Sequence, residues 1–363
     1  MKSPIHTHAY KSRQTQRGVS LIELMVAITI GLLILAALST LLISQTNIRN
    51  ELDKSNRMID NGRYALELLS ENIRLAGFYD NYDPSGAPRD PALLVPTPCL
   101  PSITNATTNT AANVLHHHVQ GYNAATASSA IASPPCGLTS LKNGSDILVL
   151  RRTSTSSILA TAAVAGSAYF QVSNCKTDVV PPSYKLALGP AGFTTLHKRN
   201  CSTASDLRLF VEQTYFVSPD NVAGDGIPTL KRIELDPSGA FVTTPLVEGI
   251  EYMQVEYGLD GDNNADGIMD DINGDGLVNN NDLDGAADIY IAAPTAANWP
   301  NIVSIKAYII ARNIETTTSY TDTKTYSLGL AGTYTPASAD HYKRHAYTQL
   351  IRLVNPSSRK EAP

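Results

Sequence analysis

Between residues 19 and 43 the chain has no lysine, arginine, histidine or aspartate and a single glutamate, Glu23. An apolar run of that length has no place on the surface of a soluble domain. At about 1.5 Å rise per residue it exceeds the roughly 20 residues that span a bilayer. No acid precedes Glu23, and no cysteine precedes Cys99. The four cysteines, Cys99, Cys136, Cys175 and Cys201, include no CxxC pair, which argues against a zinc site. The sequence has no GxSxG elbow, no HExxH and no P-loop, so the common signatures of hydrolases, zincins and nucleotide hydrolysis are missing. Basic residues are outnumbered, 28 against 33 acids, which disfavours a nucleic-acid partner because phosphate contacts need clustered Lys and Arg.

What is present at the N-terminus is a polar, basic stretch carrying Lys2, Lys11, Arg13 and Arg17, then Gly18-Val19-Ser20-Leu21-Ile22-Glu23-Leu24-Met25. Positive charge before an apolar segment holds that end in the cytoplasm and sends the remainder outward. A secretory signal cut near Ala36-Ala37-Leu38-Ser39 is the ordinary alternative. A glycine boundary followed by Glu23 argues against it, because a carboxylate in hydrocarbon costs roughly 2.5 kcal/mol or more and asks for a partner. The signature resembles the N-terminus of the type IV prepilin family. That resemblance implies cleavage after Gly18 by a membrane prepilin peptidase, N-methylation of Val19 where Phe is more common, and pairing of Glu23 with the N-terminal amine of a neighbouring subunit. Unlike charges in a low dielectric offset part of their desolvation, and such pairing fixes axial register.

From residue 44 the chain turns polar but keeps helical spacing through Ile48, Leu52, Met58, Tyr64, Leu68, Leu69, Ile73 and Leu75. The helix is expected to run to about Ala76, with Asn61-Gly62 loosening its middle and Gly77 ending it. A membrane anchor with a coiled-coil linker is the plainer reading. Asn61-Gly62-Arg63-Tyr64-Ala65 to Leu69 and Ile73-Arg74-Leu75-Ala76-Gly77-Phe78 resemble PilW-type minor pilins, as do the stretches 144–151 and 247–258.

Beyond residue 143, period-two segments bounded by turn residues predict strands at 146–152, 168–172, 207–217, 229–235, 250–257, 302–311, 325–328 and 346–354. The expected fold is α+β and type IV pilin-like, a long N-terminal helix on antiparallel sheet. Its divisions are a leader 1–18, an apolar half-helix 19–43, an amphipathic half 44–77 and a β-rich head 78–363. Removing the leader leaves 24 basic residues against 33 acids, and the cysteines all follow the apolar run. An even cysteine count in an oxidising compartment reads as two disulfides. Several connectivities are open, and sequential pairing, Cys99 with Cys136 and Cys175 with Cys201, is favoured because it closes short loops. The Thr-, Ala- and Ser-rich stretch 104–132 reads as surface loop, the kind of segment that often carries recognition.

From 260 to 288 there are nine aspartates and no lysine or arginine. Carboxylates crowded without a counter-ion repel, so a cation is the economical explanation. Asp271, Asn273, Asp275, Gly276, Leu277, Asn279 and Asp282 follow the order of an EF-hand loop, with Leu277 offering a backbone carbonyl and Asp282 replacing the usual Glu. Asp262, Asn264, Asp266 and Asp270 begin the same order nine residues earlier, with Asp260 just before. The overlapping frames look like dockerin-type or thrombospondin-type loops. Oxygen ligands throughout point to calcium rather than zinc, and a solvated acidic loop is the alternative. His116-His117-His118 reads as a solvated loop triplet, Arg151-Arg152 as a strand end and Lys343-Arg344 as a turn.

The function these features imply is non-enzymatic. The leading expectation is a minor pilin of the type IV pilus that primes or caps the filament. Its partners would be other minor pilins, the major pilin, the prepilin peptidase, the inner-membrane assembly platform and, through its first helix, the membrane. It would start in the inner membrane with the head in the periplasm and end on the cell surface, in the service of twitching motility. A type II secretion pseudopilin and a calcium-dependent pilus-tip adhesin are the alternatives.

Overall fold

The computed structural model describes residues 18–84, 95–99, 110–178, 184–190, 192–262, 264, 269–272, 274, 276, 282–318, 320–337 and 340–361. The chain divides into two units, Met1–Asp53 and Lys54–Pro363. Helix α1 (Leu21–Leu75) is continuous, through a first stretch where all the large apolar side chains of residues 19–43 are at least half exposed. It is long and apolar enough to cross a membrane.

In the second unit, α1 turns amphipathic. Met58, Ala65, Leu66, Leu69 and Ile73 recur at helical spacing, and all are buried. After it come α2 (Ala111–His116), β1 (Val119–Tyr122), β2 (Ile147–Ile158), β3 (Ala168–Val172), β4 (Tyr184–Leu188), β5 (Leu207–Ser218), β6 (Thr229–Leu235) and β7 (Phe241–Glu248). Then follow β8 (Ile250–Leu259), β9 (Ile289–Ile291), β10 (Ile302–Arg312), β11 (Tyr326–Ser327), β12 (Thr333–Tyr334), β13 (Arg344–Arg352) and α3 (Val354–Glu361).

The larger sheet runs β1-β2-β5-β3-β4, with β6 also on β5 and β7 on β6. β5 is long enough to serve two partners along one edge: β3 meets residues 207–209 and β6 meets 213–218. The smaller sheet is β13-β10-β8-β9, and every pairing in both sheets is antiparallel. One core joins them. Leu148 and Leu150 of β2, Tyr215 and Val217 of β5, Met253 and Val255 of β8 and Ile305 and Ile309 of β10 pack in one cluster with the buried stripe of α1. The alternation along each strand puts these residues on one face, which is why a period-two pattern in sequence became a core.

Gly62 does not loosen α1. A Cβ there would lie 2.2 Å from Tyr347 Cε2, and the Tyr347 hydroxyl donates to the Ile59 carbonyl at 3.1 Å. The glycine lets β13 approach the helix, while Asn61 Nδ2 donates to the Glu248 carbonyl at 3.0 Å. Gly77 ends the helix as expected, in the left-handed region at φ 74°.

Further sequence readings are corrected. The stretch 104–132 is not all surface loop: of its described part, α2 and β1 are largely buried, with Leu115 and Val119 in the two cores either side. The histidine triplet ends α2 and is buried rather than solvated. His117 Nδ1 donates to the Asn113 carbonyl at 2.8 Å and His118 Nε2 to the Ile302 carbonyl at 3.0 Å, so burial holds both neutral, with pKa values lowered to about 4 and about 3. Arg151 is not a strand end. It lies within β2, fully buried, where Nε donates to Glu212 at 2.7 Å and Nη1 to the His117 carbonyl at 2.9 Å. Glu212 in turn accepts from the Cys99 backbone N–H at 2.9 Å, so the pair fastens both α2 and the first disulfide to the larger sheet.

Lys343-Arg344 is likewise more than a turn. Arg344 opens β13 and is buried against Glu251, Asp322 and Asp340. The cysteines pair sequentially, Cys99 with Cys136 and Cys175 with Cys201.

Candidate functional site

Two regions carry the sequence signals, the N-terminal signature and the acidic segment. Within the signature, Ser20 precedes the first helical residue and its backbone N–H donates to Glu23 Oε2 at 3.3 Å. Glu23 is therefore the third helical residue reaching back to the cap, half of a capping box. Its negative charge also faces the positive end of the helix dipole. The Ser20-x-x-Glu23 spacing is the signal in the sequence for this cap. Gly18 and Val19 lie just outside the helix, exposed and in non-helical backbone, with nothing within 4 Å of where a Gly18 Cβ would sit. Residues 1–17 of the expected leader lie outside the described residues.

The acidic segment leaves the end of β8 and returns at β9. Asp271 accepts from the backbone N–H groups of Gly274 and Gly276, each at 2.8 Å, and both glycines hold the left-handed backbone this turn requires. Asp282 Oδ1 accepts from the Ile272 N–H at 3.0 Å, so the second and twelfth positions of the expected loop meet. In the earlier frame, Asp262 accepts from Asn264 N at 3.3 Å and from Asn298 Nδ2 at 3.2 Å, and Asn264 Nδ2 donates to Asp270 at 3.4 Å.

Asp260 has a different role. Its two oxygens accept from the backbone of Asp284 and Gly285, and Lys360 Nζ stands 3.6 Å away. Burial raises its pKa despite that lysine. Asp288 likewise accepts from Gly261 N at 2.7 Å, so these two close the base of the segment. Asp266, Asn273, Asp275, Leu277 and Asn279 lie outside the described residues. Among the described residues no three His, Cys, Asp or Glu side chains converge as a metal cage.

One further grouping has the composition of a catalytic triad without its geometry. Asp178 accepts from Ser173 Oγ, from His197 Nδ1 at 2.9 Å and from His197 N at 2.8 Å. Both Ser173 and His197 spend their donors on the carboxylate, whose pKa they lower. A nucleophile needs its hydroxyl on the imidazole instead. The three residues fasten the loop closed by Cys175–Cys201.

A capped apolar helix, continuing into an amphipathic half that completes the core of an antiparallel head, defines a type IV pilin-like protein. Two family models match the chain: the Prokaryotic N-terminal methylation motif over residues 13–39, and Type IV Pilus-assembly protein W over residues 214–355. Together the two matches support a PilW-family type IV pilin-like protein. The second match begins within β5 and ends at the start of α3, so it takes in the smaller sheet. The stretches 61–78 and 144–151 fall outside both. No curated protein and no solved structure matches the chain.

Proposed function

We propose that this protein is a minor pilin that primes or caps a type IV pilus within a complex of minor pilins, after cleavage behind Gly18 and methylation of Val19. The observation that carries this reading is the pairing of an exposed, capped apolar half-helix with a head whose own core is complete. Such a subunit must be held by something other than itself, first lipid and then the helices of its neighbours. Glu23 then exchanges its local cap for the new amine of an adjacent subunit, a stronger, charge-assisted partner. Deletion of the protein is expected to remove surface pili and twitching; pili in normal number would contradict a priming role. Glu23→Ala is expected to leave leader cleavage intact and reduce the variant's share in sheared pili, and accumulation of uncleaved protein would count against that division of roles.

The acidic segment is proposed to bind calcium through Asp262, Asp270, Asp271 and Asp282 together with Asp266, Asn273, Asp275, Asn279 and the Leu277 carbonyl. Support comes from the closure of Asp282 onto the Ile272 N–H and from the left-handed glycines, the backbone such loops use. Asp260 is left to its structural role. Calorimetric titration of the full chain in detergent is expected to show saturable calcium binding that Asp271→Asn together with Asp282→Asn removes; absence of heat at millimolar calcium would end the metal reading.

A further inference from the structure

Helix α3 is eight residues long and its two sides touch different parts of the head. On one side, Asn355 Nδ2 lies 3.5, 3.4 and 3.3 Å from the carbonyl oxygens of Arg74, Leu75 and Ala76, to which it donates. These are last-turn carbonyls, which α1 itself cannot satisfy. Pro356 sits against Gly77, where a Cβ would come within 2.9 Å of its Cγ. Arg359, one turn on, donates to the Gly77 carbonyl at 2.8 Å and lies over the Tyr79 ring at 5.8 Å.

The other side faces the base of the acidic segment. Lys360 Nζ donates to the carbonyl of Asp260 at 3.3 Å and to Asn301 Oδ1 at 3.4 Å, beside the Asp260 carboxylate that holds the 284–285 backbone. Ser357 Oγ donates to the Gly285 carbonyl, and a Cβ on Gly285 would lie 2.5 Å from the Ser357 carbonyl. Residues 355, 356 and 359 thus serve α1, and residues 357 and 360 serve the acidic base, as positions three and four apart on a helix allow.

We propose that α3 is a latch joining the end of the stem helix to the base of the acidic segment, so that loosening either one loosens the other. A latch of eight residues has little stability alone, since so short a helix is marginal in water. Its order depends on both docking faces. When one is lost, α3 frays and the other face loses its partners. The coupling stands whether or not the acidic segment binds a cation.

Hydrogen–deuterium exchange of the full chain in detergent tests it in both directions. Lys360→Met, which acts on the acidic side, is expected to speed exchange on the order of tenfold at the Gly77 and Phe78 amides, the scale of one lost charge-assisted hydrogen bond. Asn355→Ala, which acts on the stem side, is expected to speed exchange at the Asp284 and Gly285 amides. Both amides of β8 at 253 and 255 serve as the check that the head stays folded. If each variant alters exchange only at its own side while β8 stays protected, the latch is overturned. If Lys360→Met unfolds the head, Gly285→Ala, which crowds α3 without removing a charge, replaces it as the acidic-side variant and is read at the same stem amides.

Discussion

Asp146 is one of the side chains that tie the two sheets together. It stands just before β2, and its oxygens accept from Ala124 N at 2.7 Å and from Val255 N of β8 at 2.9 Å. Burial outweighs these donors and raises its pKa to about 7. A carboxyl whose pKa is raised by folding contributes stability that is complete at low pH and is lost as pH rises through the folded value. His117 and His118 act in the opposite direction: burial lowers their pKa values, so they are charged only when unfolded below the ordinary histidine range and add stability as pH rises towards it. Between about pH 4 and pH 7 the Asp146 contribution therefore opposes that of the histidines, so Asp146→Asn is expected to make stability in denaturant rise more steeply with pH over that range while lowering stability at pH 4, because its amide opposes one N–H donor. A slope unchanged in the variant would assign the titration elsewhere. Nothing in the sequence marked Asp146. It opened a predicted strand, and its role depends on β8, more than a hundred residues away.

At the scale of elements, the joint between α1 and β13 is the more exacting contact. Glycine within an exposed helix costs roughly 0.5–1 kcal/mol relative to alanine, so Gly62→Ala would ordinarily stabilise. Here the added methyl meets the Tyr347 ring, and overpacking of this kind costs about 1–3 kcal/mol. Gly62→Ala is expected to destabilise the head in chemical denaturation, and to stabilise it when Tyr347→Ala is already present. The same sign in both backgrounds would show that Tyr347 is not the obstacle. Strands β3 and β6 were legible to the residue because both faces and both ends are marked in their own sequence. The strands absent from the sequence reading lack such marks. β4 follows a proline pair, β7 carries Pro245 and is mostly exposed at the edge of its sheet, and β1, β9 and β12 are too short for a period to appear. The buried Arg151 and the histidine triplet were misread for a related reason: polar residues are assigned to the surface unless their partners are known, and Glu212, Asn113 and Ile302 supply those partners only in the fold.

Across the whole molecule, the two disulfides close loops of 37 and 26 residues. By chain entropy each contributes roughly 3–4 kcal/mol. Reduction is expected to lower the thermal midpoint of the head, and Cys99→Ala with Cys136→Ala to loosen the Arg151–Glu212 pair they cover; exchange at the β2 amides unchanged by that substitution would contradict the second part. The divided character of α1 has a further consequence. Its contribution to the core begins at Met58, and none of the large side chains of residues 19–43 is buried by the chain. The head owes none of its cohesion to that segment, so a change in what surrounds residues 19–43 leaves the core of the head as it is. On the proposed function, passage of residues 19–43 from lipid to neighbouring helices would then call for no repacking of the head.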